Sequence, residues 1–243
     1  DLSSAKFYKE KLNYATSLED SKMVFAENYD GVYFKTTYQK TNGGVSEDIY
    51  QLVDFREDNR TSYEFFDEIE KVTDIYGNEV ALGKVKVIGG LFGFNKTYFR
   101  DTERVYVQSY GFNSTIKSVK VSAGVAESTG LCFFTNLESI EYKKGTTSVA
   151  GVASNVTNMS GGSVTLKSVK LPSTVTSLKA KAFANCSNLE TFETTDGKAL
   201  SIKDIADEAF RNCGKLTELS LIIGDATETI GLSAFNGTGI SEV

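Results

Sequence analysis

The chain has 243 residues, 40% hydrophobic, a formal net charge of −6, no histidine, no tryptophan and one proline; that length holds one long domain or two, with enough apolar content for a core. Without histidine there is no Ser-His-Asp, Cys-His or His-metal scheme. The acidic balance argues against a nucleic-acid partner, which wants a basic patch, and no apolar run approaches the length of a membrane span.

Residues 1–85 hold 17 Asp/Glu and 10 Lys/Arg, against 15 and 16 in residues 86–243, so the net charge belongs to the first segment. An excess of that kind reads first as a solvated acidic surface. The same segment contains 14 of the 28 Phe and Tyr residues and shows no repeat. Ala5–Tyr14 is expected to form a short helix. Asp30-Gly31, between Met23–Tyr29 and Val32–Lys40, is a hairpin signal. Asn42-Gly43-Gly44 marks a second turn before Ile49–Phe55, and Tyr76-Gly77-Asn78 a third before Val80–Ile88. Between them Thr61-Ser62-Tyr63-Glu64 has the form of a capping box, which would place Phe66, Ile69, Val72 and Tyr76 on one helical face. The reading is a small β-rich α+β domain over residues 1–85. Residues 86–115 are a join, with Leu91–Phe94 and Tyr110–Asn113 as degenerate first repeats that cap the C-terminal segment.

From residue 116 the chain repeats itself. Ile116–Val121, Leu137–Tyr142, Leu166–Leu171, Leu189–Thr194, Leu216–Leu221 and Ile240–Val243 begin 21, 29, 23, 27 and 24 residues apart. Each is apolar at its first and fourth places and usually at its sixth. Side chains alternate faces along a strand, so the fourth and sixth places point to a core and the third and fifth point away. Three Ala-Phe turns, Ala182-Phe183, Ala209-Phe210 and Ala234-Phe235, lie 27 and 25 residues apart. A leucine-rich strand in a unit of 20–30 residues is a solenoid signature, and residues 116–243 are expected to stack as a parallel sheet, each rung covering its neighbour's apolar face. Phe183, Phe210 and Phe235 should then stack in register beneath the sheet.

Leu171-Pro172-Ser173-Thr174-Val175-Thr176-Ser177-Leu178, followed by Ala182-Phe183, Cys186 and Leu189, resembles the BspA-type leucine-rich repeat of bacterial cell-surface proteins. Ala234-Phe235-Asn236-Gly237-Thr238-Gly239-Ile240 resembles a variant of the same unit. The resemblance covers residues 105–243 and is strongest from 164. Two earlier units depart from it: Gly130-Leu131 replaces Ala-Phe, Phe134 stands at the cysteine place, and 143–165 is a longer Gly, Ser, Thr, Val and Asn-rich stretch. The resemblance implies an α/β-type leucine-rich repeat solenoid with a short helical or irregular convex side. It further implies a secreted or surface-displayed, non-catalytic adhesion module with no cofactor. Its partner would be an extracellular protein, such as a host matrix or cell-surface component, or a glycan. The chain starts at Asp1 without methionine and stops at Val243 inside a repeat strand. An export signal removed upstream, or a chain excerpted from a longer one, and a continuation or cover downstream are expected.

Cys186 and Cys213 occupy the same place in adjacent repeats. An exported protein permits a bridge there, but the repeat uses cysteine as a small buried apolar residue, and free thiols are expected at Cys132, Cys186 and Cys213. Two thiols without histidine make a poor zinc cage. Seven Asn-x-Ser/Thr triplets, at Asn59, Asn95, Asn113, Asn155, Asn158, Asn185 and Asn236, would be glycan acceptors in a eukaryotic secreted protein; in the Ala-Phe turn, polar turn chemistry explains asparagine without a glycan. Paired carboxylates such as Asp67-Glu68 or Asp207-Glu208 read as solvated neighbours rather than as an acid and a base.

The candidate partner-binding face is the outward side of the strands. Its fifth place reads Lys120, Glu141, Lys170, Glu193 and Ser220, a ladder of alternating charge at about 4.8 Å steps. Its third place reads Ser118, Ser139, Ser168, Thr191, Glu218 and Glu242, a small polar stripe. Opposite charges on adjacent strands stabilise a sheet, and an exposed ribbon is also where a solenoid receives a partner. The alternative from another class is a carbohydrate-recognition or enzymatic N-terminal domain displayed on a structural repeat stalk.

Overall fold

The computed structural model describes residues 23–26, 31–38, 47–54, 59–74, 78–90, 114–126, 131, 134–151, 164–218 and 222–241. The expected helix at Ala5–Tyr14, the join at Leu91–Phe94 and Tyr110–Asn113, Cys132, the last strand residues Leu219–Leu221, and Glu242 lie outside them. The chain clusters into two compact units, one of residues 1–58 and 66–112 and one of residues 59–65 and 113–243.

In the first unit β1 (Met23–Ala26), β2 (Gly31–Tyr38), β3 (Glu47–Asp54), β5 (Glu68–Asp74) and β6 (Glu79–Gly90) form a closed barrel in the order β1-β2-β3-β6-β5. β1 and β2, β2 and β3, and β5 and β6 are antiparallel neighbours. Ala26 pairs with Gly31, Tyr38 with Glu47, and Thr73 with Glu79; the expected turn residues Asp30, Asn42-Gly43-Gly44 and Tyr76-Gly77 lie outside the described residues. Parallel pairing of Tyr50 with Val87 and antiparallel pairing of Val24 with Asp74 complete the ring.

The capping box is not a helix start. Ser62–Glu64 is strand β4 and Glu68–Asp74 is strand β5. The physical reason is the spacing of the aromatics. Tyr63 and Phe65 are both buried while Ser62 and Glu64 are exposed, and only a two-residue period puts residues two apart on one face.

The second unit is the repeat. Its main sheet is parallel in the order β12-β10-β8-β7-β4, built from β7 (Ser118–Val121), β8 (Ser139–Tyr142), β10 (Ser168–Leu171) and β12 (Thr191–Thr194) beside β4. The expected helical or irregular convex side is corrected by a second parallel ladder. β9 (Ser148–Val149), β11 (Ser177–Leu178), β13 (Asp204–Ile205) and β14 (Thr229–Ile230) pair in register. Among the described residues the only α-helix is the single turn Ala123–Ala126. Two-residue strands suffice because each is flanked by backbone bonds to the adjacent rung: Thr176, Lys203 and their carbonyls link successive units, as in Lys203 N–H to Thr176 O (2.8 Å) and Glu228 N–H to Lys203 O (2.8 Å).

The Ala-Phe turns form a third ladder with alternating bonds. Ala182, Ala184 and Cys186 donate within their own turn, whereas Lys181, Phe183 and Asn185 donate to Asp207 O, Ala209 O and Arg211 O of the next rung. Glu208, Phe210 and Asn212 repeat the pattern toward Leu232 O, Ala234 O and Asn236 O. Each turn passes twice through left-handed backbone. The second such place holds Asn185 (φ 62), Asn212 (φ 61) and Gly237 (φ 75), the residue types that tolerate that region best. Asn212 Nδ2 also donates to Asn185 Oδ1 at 2.7 Å.

The phenylalanines stack as the repeat requires. Phe183 and Phe210 lie 5.5 Å apart at 18°, and Phe210 and Phe235 lie 5.4 Å apart at 9°. Phe192 from β12 meets Phe183 and Phe210 edge-on at 5.5 and 5.7 Å, so the core lies between the inner face of the main sheet and the turns. Val169, Leu171, Leu178, Ile205, Phe183 and Phe210 are fully buried there.

Both described thiols are buried and unbridged. Cys213 Sγ donates to Phe183 O at 3.0 Å, and burial pushes its pKa up to about 12. The thiolate is the reactive form, so Cys186 and Cys213 are expected to ignore a thiol reagent in the native protein at mildly alkaline pH. All three cysteines of the chain should titrate after unfolding without reductant. Fewer than three would establish a bridge.

Candidate functional site

The outward face of the main sheet is assembled by register. Ser62, Ser118, Ser139, Ser168 and Thr191 stand side by side on successive strands, and so do Glu64, Lys120, Glu141, Lys170 and Glu193. The expected residues Ser118, Lys120, Ser139, Glu141, Ser168, Lys170, Thr191 and Glu193 are therefore brought together. Glu218 is exposed but belongs to no strand, and Ser220 lies outside the described residues. Between them Val119, Ile140, Val169 and Phe192 point inward and are buried, which fixes the polar residues outward because a strand has only two faces.

Opposite charges meet along the fifth-place row. Lys120 Nζ is 3.7 Å from Glu141 Oε1, and Lys170 Nζ is 2.7 Å from Glu193 Oε2. The hydrogen bond and charge of Glu193 hold the Lys170 ammonium above its ordinary pKa. Sequence reasoning missed a second charged row at the place before each strand: Lys117, Glu138, Lys167 and Glu190. Glu138 is bonded on both sides, to Lys167 at 3.0 Å and to Lys117 at 3.5 Å. Its carboxyl is held below the usual range, first by the Lys167 hydrogen bond and charge and then by Lys117. Glu190 pairs with Lys215 at 3.1 Å. The signal for this row was present as Lys, Glu, Lys, Glu at the second place of four consecutive repeats.

Also missed were Ser62 and Glu64, which extend the face by one strand. Along the fifth-place row runs a groove of about 220 Å³, lined by Ser62, Ser118, Ser139 and Ser168 with Lys120, Glu141 and Lys170. The serine hydroxyls form its floor and the paired charges its flank. Such a surface offers hydrogen bonds and locally neutralised charge, and on these rows stand neither aromatic nor arginine side chains.

The ion pairs set an expected pH dependence. Glu138, Asp196 and Glu208 have lowered pKa values, held down by Lys167, by the Ser173 hydroxyl and by Arg211 respectively. A carboxyl whose folded pKa lies below its unfolded value contributes stability above the unfolded value and loses it as pH falls through the folded one. The raised Lys170 contributes below the ordinary lysine value and loses it as pH rises past the folded one. Tm plotted against pH should therefore fall at both the acid and the alkaline end, shallowly because these groups are exposed. Glu138→Gln should flatten the acid limb. An acid limb unchanged in Glu138→Gln would remove Glu138 from this account.

A family described as BspA type leucine-rich repeat region (6 copies) matches residues 157–243. Residues 157–243 therefore match the BspA-type leucine-rich repeat. The fold agrees over more of the chain than that match. A leucine-rich repeat protein from Eubacterium ventriosum superposes over 91% of this chain and 51% of its own, at 18% identity and a TM-score of 0.51. The pneumococcal vaccine antigen PcpA superposes over 89% of this chain and 48% of its own, at 15% identity and a TM-score of 0.51. At such identities the likeness is one of fold, and the chain spans about half the length of these proteins. No curated protein matches the chain. The match takes in the three Ala-Phe turns and strands β10 and β12 of the main sheet, whereas β4, β7 and β8 precede it. Among the described residues, no three or more Cys, Asp or Glu side chains group as a metal cage, and no helix is long and apolar enough to cross a membrane.

Proposed function

We propose that the chain is a non-catalytic binding or adhesion module displayed at a bacterial cell surface, which takes an extracellular protein partner on the outward face of its main sheet. The observation that carries this reading is the in-register face itself: five strands, a serine floor, and two rows of charge that are mostly paired before any partner arrives. Charges already paired within the sheet need not be stripped of water alone when covered, which lowers the desolvation cost of contact. The BspA-type repeats, and the likeness in fold to a pneumococcal vaccine antigen, support display at the surface. Leucine-rich repeats commonly work through protein contacts, which supports a protein partner. With no large aromatic or arginine anchor on the face, affinity would come from area and multivalency rather than from one hot spot.

The test inverts the ladder from β7 to β12, leaving a like-charge pair only at the junction with Glu64 of β4. Lys120→Glu, Glu141→Lys, Lys170→Glu and Glu193→Lys together keep opposite charges adjacent within these four strands while reversing the pattern that a partner meets. Binding partners are first captured from a panel of host extracellular-matrix proteins, with a glycan array run in parallel. The expected result is a Tm within a few degrees of the parent and binding reduced at least ~10-fold, since misplacing two or more charge contacts exceeds 1.4 kcal/mol. Unchanged binding to every captured partner would show that the ladder serves the sheet alone.

A further inference from the structure

We infer that the outer edge of β7 is a strand-accepting site, filled in cis by residues 61–65, and that the partner it fits is the same segment of a second copy of this chain. Residues 61–65 lie in sequence between barrel strands β3 and β5, yet they fold with the repeats as their first rung. Every rung of the main sheet is seated the same way. The carbonyl before the strand accepts two N–H groups from the next strand: Lys117 O from Glu138 and Ser139, Glu138 O from Lys167 and Ser168, Lys167 O from Glu190 and Thr191. Thr61 O does this for Lys117 (2.7 Å) and Ser118 (3.2 Å), and Phe65 N–H returns a bond to Lys120 O at 2.9 Å.

The seat also has side-chain specificity. Phe65 is 1% exposed and lies edge-on to Phe134 at 6.3 Å and to Tyr63 at 5.2 Å. Lys143 Nζ pairs with Glu64 at 2.7 Å and donates to Phe65 O at 2.7 Å. Glu64 continues the alternation by standing opposite Lys120, which Glu141 flanks on its other side. The site thus selects a serine, an aromatic, an acid and an aromatic in that order, and Ser62-Tyr63-Glu64-Phe65 supplies them.

Two features make the segment exchangeable. It is the outermost strand of its sheet and only three residues long, so it can peel without disturbing the strands inside it. It also enters as a loop between two other strands, so no chain end has to be threaded. When it leaves, β7 presents unpaired backbone and Phe134 loses its cover, and a bare apolar edge is a template for another strand. The identical segment of a second copy restores every bond, which is why exchange of an identical element is a low-cost route to dimers.

Two full-length variants test this. In the first, Tyr63→Asp with Phe65→Asp disables the segment and leaves the acceptor intact. In the second, Lys143→Glu disables the acceptor by repelling Glu64 and leaves the segment intact. Each is run alone and then mixed, by size-exclusion chromatography with light scattering. The expected result is a dimer peak in the mixture at least ~10-fold above either variant alone, abolished when Lys143→Glu is added to the first variant. A labelled peptide of residues 59–66 should likewise bind the first variant and not the parent, whose edge is filled. If the double aspartate variant does not fold, Phe65→Ala replaces it. Monomers throughout the mixing series, together with no peptide binding by a folded segment variant, would overturn the inference.

Discussion

Phe210→Ala will cost about 3–5 kcal/mol, the range for truncating a buried phenylalanine. The side chain is fully buried and is the middle member of three stacked rings, with Phe183 on one side and Phe235 on the other at 5.5 and 5.4 Å. It also carries the edge of Phe192. Truncation therefore removes two stacked contacts and one edge contact, each worth about 0.5–1.5 kcal/mol beyond burial, and opens a cavity between neighbouring rungs. Because each rung is stable only against its neighbours, the loss should spread. Amide exchange should rise at Phe183 and Asn185, whose N–H groups bond to Ala209 and Arg211. A thermal melt in which Phe210→Ala shifts nothing would refute the stacked turns.

Leu178→Ala will cost about 2–5 kcal/mol. Leu178 is fully buried in β11 and stands in register between Val149 of β9 and Ile205 of β13. Its neighbour Ser177 is half-buried on the opposite face of the same two-residue strand, and Ser177→Ala should stay within about 0.5 kcal/mol, as for a substitution away from the core. The contrast between adjacent residues is what a second ladder predicts. If the segment were an exposed loop, both changes would be small. Denaturant unfolding of the two variants decides it, and equal midpoints would contradict the ladder.

The sequence was legible where a residue's role depends on its own repeat. Val119, Ile140, Val169 and Phe192 sit at the fourth place of their strands, and alternation alone sends them inward; all four are buried. The Ala-Phe turns announce themselves because the left-handed place after each is filled by Asn185, Asn212 or Gly237. Legibility failed in two physical situations. A two-residue strand such as Ser177-Leu178 or Asp204-Ile205 is too short to show alternation, and its strand character comes from backbone bonds to rungs 25 or more residues away. The other case is Ser62–Phe65. A capping-box pattern and a strand of alternating polar and aromatic residues share the same letters, and Val119, Lys120 and Phe134, more than 50 positions later, decide between them. The binding face divides in the same way. Its four alternating charges from Lys120 to Glu193 could be read from the strand register, whereas Glu64 and the floor at Ser62 were hidden with β4.

The register of the main sheet carries both the candidate face and the first rung, because slipping one strand by a single residue turns its outward side chains into the core. Nuclear Overhauser contacts between backbone protons of adjacent strands in the labelled, full-length chain measure it directly. The structure predicts contacts that align Ser62 with Ser118, Ser118 with Ser139, Ser139 with Ser168 and Ser168 with Thr191. Contacts that align Ser139 with Val169, or that leave Ser62–Glu64 without any contact to Ser118–Lys120, would contradict it.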